Sequence, residues 1–283
     1  SGNGIENKAE VSGIQLTNDT RIDVMDGKGV RTSATLAQTN AGTINVLGAG
    51  TGLAFETAAG GGTSNNIDLS DSNGLNINVT GANATGISVK HTGNGDVKSG
   101  ANVTVAAGGG SAVALEGVSS FDNSGELVSA STDAPVISLG GVTDMINSGV
   151  VAAVDALTSA LTFDDQDSAL TNSGQVTGVV DLGEGNNTAT NAAGATITGN
   201  LVAAGGNDTV TNSGTVVGDI NLGTGSNAVT LNSDSSVVNV NGDTGTDAVT
   251  VKGNAAFTKL DGGIGAADTL TFDGFTARAE YRF

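Results

Sequence analysis

Three aspartates near the C-terminal end of the chain, Asp243, Asp247 and Asp268, stand in glycine-rich turns that could hold a hard cation. GDTGTDAVT runs from Gly242 to Thr250, and GGIGAADTL runs from Gly262 to Leu270. The first nearly matches the calcium nonapeptide pattern GGxGxDxUx, and the second matches it with one inserted residue. Calcium takes roughly six to eight oxygens, so one such turn needs a second to complete the shell. In a nonapeptide array the second turn arrives about nine residues later; here the spacing is about 20, and half of the ligand set is missing. Calcium is the one cofactor that these residues suggest. The plainer reading of the same turns is Gly/Asp connections between stacked strands.

Other groups could do chemistry as well. FDDQDS, Phe163 to Ser168, brings Asp164, Asp165 and Asp167 close together. Paired carboxylates are the acid–base machinery of polysaccharide hydrolysis. A lyase would also need a basic residue, and none is local, so an exposed acidic loop is the simpler reading. His91, in KHTGNG, is the one histidine and there is no cysteine, so a His-dependent nucleophile would have to use it. That sequence reads as a loop. Zero cysteine also excludes disulfides and Cys-ligated zinc. Thr-x-Thr ranks, as in TAT, TVT and TLT, are the device of ice-binding surfaces, but Ala replaces the first Thr in two of five ranks. Outward Thr on a strand is ordinary β propensity. No catalytic residue is assigned, and the chain is expected not to be an enzyme.

Composition points the same way. The chain has 283 residues with 45 Gly, one Pro and no Trp, and its net charge of −19 would suggest disorder if apolar residues were few. They are not: 37% of residues are hydrophobic, mostly Val, Ala, Leu and Ile, and spread evenly. Such a sequence fits many short strands joined by tight turns. No Lys or Arg occurs between Lys98 and Lys252, which excludes a nucleic-acid surface, since that needs clustered cations. No apolar run approaches the roughly 20 residues of a transmembrane helix. The chain opens at Ser1 rather than Met, as expected of a mature exported chain or an excised fragment.

The elements that would position these groups follow from a repeat. One Thr recurs at Thr171, Thr190, Thr211, Thr230, Thr250 and Thr271, with steps of 19, 21, 19, 20 and 21 residues. The residue before it is apolar each time: Leu170, Ala189, Val210, Val229, Val249 and Leu270. Phe121 and Met145 take the same slot upstream, at steps of 24 and 25. A period near 20 is too short for a propeller blade or a helix pair and suits one coil of a β-solenoid. Stacked coils would place these residues in one buried column, with Val176, Ile197 and Val216 in a second and Leu182, Leu201 and Leu222 in a third. Asn172, Asn191 and Asn212 share one turn position, where amides can bond each other in a ladder. The expected organisation is an N-terminal strand or cap region over 1–30, irregular coils over 31–120, regular coils over 121–272, and a final amphipathic strand over 273–283.

The TNSGxVxGxxxLGxG coils resemble the passenger domains of autotransporters, type V secreted proteins, and related adhesins. The likeness covers about residues 30–272 and is clearest from Asn123 onward. It implies a right-handed parallel β-helix of roughly a dozen coils, about 60 Å long at ~4.8 Å per coil. It also implies an extracellular or cell-surface location in a Gram-negative bacterium, with self-association, cell aggregation or a biofilm matrix role, and neighbouring cells or surface glycans as further partners. The chain departs from the family in leaving no room for a membrane barrel. A calcium-binding extracellular matrix module, RTX-like, is the alternative expectation, and a polysaccharide-active β-helix enzyme the third.

FTARAEYRF closes the chain with strict alternation. Phe275, Ala277, Ala279, Tyr281 and Phe283 share one face, while Arg278 and Arg282 lie on the other. That is the pattern of a half-buried strand. It would either cap its own last coil or be donated to a neighbour, with Phe275, Arg278, Tyr281, Arg282 and Phe283 making the contact.

Overall fold

Alternating apolar residues in runs of a few, punctuated by Gly, Asn and Asp, cannot sustain a helix. Among the described residues the chain forms 33 short strands and no helix. In this computed structural model the described residues are 5–7, 16, 20–32, 41–56, 67–90, 95–265 and 267–274. The fold is an all-β parallel β-solenoid. Three sheets run along it, twelve, nine and ten strands deep, and the named strands pair in parallel throughout. A regular coil contributes one strand to each. Thr209–Asn212 lies in the ten-stranded sheet, Thr215–Val216 in the nine-stranded sheet and Asp219–Asn221 in the twelve-stranded sheet.

The repeat read in the sequence is the pairing register. Phe121 stacks on Met145, Met145 on Leu170, Leu170 on Ala189, Ala189 on Val210, Val210 on Val229, Val229 on Val249 and Val249 on Leu270. Burial of each large side chain contributes about 1.5–3 kcal/mol, so the column is a main source of stability. Val176, Ile197 and Val216 form a second buried column. The expected third column divides in two: Leu182, Leu201 and Leu222 are all buried, but Leu201 pairs with Val180 and Ile220, while Leu182 and Leu222 stand two residues further along, level with Ala203. One hydrophobic cluster runs from Leu16 to Ala255. Large aromatics are not needed, because the interior is one coil wide.

Leu270 departs from the expected buried stack. It keeps the register but is 48% exposed, because its strand, Thr269–Asp273, pairs on one side only among the described residues. The irregular N-terminal coils also stack in register, with long strands such as Ala41–Val46 on Gly74–Val79. Their loops vary in length, which hides the period in the sequence.

Glycine repeats for a reason in one column. Gly178 and Gly199 take φ of 121° and 148°, which L side chains avoid. A Cβ on Gly199 would strike the Gly178 carbonyl, and one on Gly218 would strike the Gly199 carbonyl. Coils at strand spacing leave no room there for a side chain.

Candidate functional site

Amides and carboxylates that face the same way in successive coils make columns, and two of these are the best-built polar features of the molecule. The first lies at the corner after the apolar slot. Asn123 donates through Nδ2 to Asn147 Oδ1, Asn147 to Asn172, Asn172 to Asn191 and Asn191 to Asn212, each at 2.9 Å. Asn212 ends the ladder on the Ser236 carbonyl at 2.9 Å. All five are buried. An amide suits the position because it both donates and accepts, so one residue type satisfies itself when stacked. The expected trio of Asn172, Asn191 and Asn212 is thus the later part of a longer ladder. FDNSG and MINSG carry the signal for Asn123 and Asn147, since each Asn stands two residues after the apolar slot.

The second column lies two residues before the slot. Ser168 N–H donates to Asn187 Oδ1 at 2.9 Å, Asn187 N–H to Asp208 Oδ1 at 2.8 Å and Asp208 N–H to Asn227 Oδ1 at 2.8 Å. It continues from Asn227 N–H to Asp247 Oδ1 at 3.1 Å and from Asp247 N–H to Asp268 Oδ1 at 2.9 Å. Each side chain therefore caps the backbone of the coil before it. This column went unread in the sequence, although an Asn or Asp precedes Ala189, Val210, Val229, Val249 and Leu270 by two residues each time.

That geometry bears on calcium. Asp247 and Asp268 each use one oxygen to bind the preceding coil, and Asp243 holds a left-handed turn at φ 67°. Among the described residues no three acidic or histidine side chains converge as a metal-holding group. The three aspartates do not form one ligand set by themselves. Asp247 Oδ2 is nonetheless buried without a hydrogen-bond partner, and a Cβ on Gly242 would strike both it and the Gly262 carbonyl. Burial pushes the Asp247 carboxyl above the usual aspartate range, and the Asp268 and Asp243 charges add to the shift.

The acidic loop is also committed to structure. Asp164 Oδ2 accepts from Gly141 N–H at 2.7 Å, and Asp167 Oδ1 accepts from Asn186 N–H at 2.7 Å. Asp165 stays exposed. The Thr column pairs as Thr171, Thr190, Thr211, Thr230, Thr250 and Thr271, with exposed Ala228 and Ala248 interrupting the neighbouring Thr column. A groove of about 490 Å³ runs over the twelve-stranded sheet between Val202, Asn221, Asn241, Asp243 and Asp261. Asn241 Nδ2 bonds Asn221 Oδ1 at 2.7 Å there, and Asp261 pairs with Lys259 at 2.5 Å. His91 lies outside the described residues, as do Phe275, Arg278, Tyr281, Arg282 and Phe283.

No family model matches the chain, and no curated protein or solved structure matches it either. No helix among the described residues is long and apolar enough to cross a membrane.

Proposed function

We propose that this chain is a non-enzymatic structural module of a bacterial surface or extracellular matrix, similar to an autotransporter passenger, that self-associates end to end. The observation that carries the reading is the edge formed by Thr269–Asp273. Every residue of that strand is exposed, with Leu270 at 48%, and among the described residues it pairs on one side only, with Ala248–Lys252. A strand at the end of a sheet is a template for pairing with another strand, and an exposed apolar side chain such as Leu270 adds area to the contact. A head-to-tail contact of that kind does not close on itself and yields a fibre. The segment from Phe275 to Phe283 would serve as the donated strand, its Arg278 and Arg282 meeting the acidic surface of a neighbour. Engagement of Asp164 and Asp167 by backbone N–H groups supports the non-enzymatic reading. Light scattering tests it. The mass should grow with concentration and fall to that of a monomer when residues 275–283 are deleted; a monomer at high concentration overturns it.

The unpartnered Asp247 Oδ2 favours calcium loading as the second reading. A ligand bound only by the folded state stabilises it by RT ln(1 + [L]/Kd). Chelator should then lower the melting temperature and calcium restore it; an unchanged melt removes calcium.

A further inference from the structure

Asp208 is a buried ionisable group with no neutralising partner among the described residues. It is 1% exposed and sits between Asn187 and Asn227 in the column that ties each coil to the one before. Its Oδ1 accepts from Asn187 N–H, but its Oδ2 is buried with no hydrogen-bond partner. One coil earlier, Asn187 fills the same position with its amide nitrogen bonded, whereas one coil later the Asn227 Nδ2 is buried without a hydrogen-bond partner. The Asn187 Nδ2 donates to the carbonyls of Gly183, Glu184 and Gly185 at 3.3, 3.4 and 3.2 Å. The two turns are in register, since Glu184 is bridged to Gly205 and Thr188 pairs with Thr209. The register therefore places Asp208 Oδ2 where Asn187 has its amide nitrogen, beside a turn rich in carbonyl oxygens. An ionised carboxylate has no hydrogen to offer there. A carboxylic acid has one.

Among the described residues no cation faces Asp208. The ionisable groups that face Asp208 are Glu184 and Asp167, both acids, from the preceding turns. The turn that follows, residues 222–228, contains no ionisable residue, and the chain has no Lys or Arg between Lys98 and Lys252. An unpaired buried charge is expensive, and the usual outcome is that the group takes up a proton.

We propose that Asp208 is folded into the solenoid as a neutral carboxylic acid whose Oδ2–H donates to the carbonyls of its own turn, so that the middle coils tighten as their surroundings acidify. Burial first, and then the Glu184 and Asp167 charges, push its carboxyl above the usual aspartate range, against the opposing pull of the bonds from Asn187. A proton held more tightly by the folded chain than by the unfolded one stabilises the fold at low pH. That contribution is complete below the ordinary aspartate value of about 4 and is lost as pH rises through the higher folded value. The proposal does not depend on self-association.

Asp208→Asn supplies the missing hydrogen without the proton. Thermal melts in chelator at about pH 5 and about pH 8 compare it with the parent chain and with Asp165→Asn, which removes an equal charge from an exposed site. The expected result is that Asp208→Asn melts higher than the parent at the alkaline pH, that the gain shrinks at the acid pH, and that Asp165→Asn shows no such pattern. In the parent chain, the carboxyl carbon resonance of Asp208 should titrate above the ordinary aspartate range. A titration in the ordinary range overturns the proposal, whether or not the variant folds. So does an Asp208→Asn melt at or below the parent at alkaline pH. A parent melt that chelator lowers and calcium restores, in a variant-sensitive way, also overturns it in favour of a bound cation.

Discussion

Asn172 gives one amide hydrogen to Asn191 and receives one from Asn147, both inside the stack. Replacing it with Ala removes both ladder bonds and the bond to the Gly174 carbonyl, and leaves the Asn191 side-chain oxygen buried without its donor. An orphaned buried group costs about 1–3 kcal/mol, so Asn172→Ala should lose roughly 2–4 kcal/mol in denaturant unfolding. Asn123→Ala, at the start of the ladder, breaks one ladder link together with its bonds to the Gly125 N–H and carbonyl, and should lose a similar amount. An unchanged unfolding midpoint in either variant would mean that the ladder does not hold the stack. Three of these asparagines were legible in the sequence because they share the TNSG or TNAAG context. The Asx column that contains Asp208 was not, because its members alternate between Asn and Asp and look like ordinary turn residues. Their role appears only when coils are stacked and each side chain is seen to accept from the coil before.

At the scale of the coil, the apolar slot decides stability, and position along the solenoid decides how much. Val210 is buried at 2% exposure, whereas Leu270 occupies the same slot at 48%. Val210→Asp should place a charge in a dry stack and cost several kcal/mol, while Leu270→Asp should shift the denaturant midpoint little. Thr211→Ser, on the outer face, should also shift it little. A Leu270→Asp variant as unstable as Val210→Asp would mean that the edge is covered in solution. The slot was legible because Thr and its apolar neighbour recur at almost constant spacing from Leu170 onward. The coils before Phe121 were harder to read. Their strands are longer, and their loops absorb extra residues that break the period without breaking the register, as where Ile44 stacks on Ile77.

The whole molecule is a stack of parallel coils with three sheets, and a stack has ends. The pairing of Ala248–Lys252 with Thr269–Asp273 extends the ten-stranded sheet to an edge that is exposed along its length. The fold could be inferred from periodicity, but this edge could not, since Leu270 looks in sequence like every other member of its column. Polymer growth from that edge would set a width of one solenoid and a length that increases with concentration. Leu270→Lys with Thr271→Lys places two charges on the edge and should stop growth while leaving the fold intact, as judged by circular dichroism. Negative-stain electron microscopy of the intact chain is the most direct measurement. End-to-end filaments one solenoid wide, reduced to single rods by the two lysines, are the expected result; single rods at every concentration, or filaments indifferent to those lysines, would contradict end-to-end self-association.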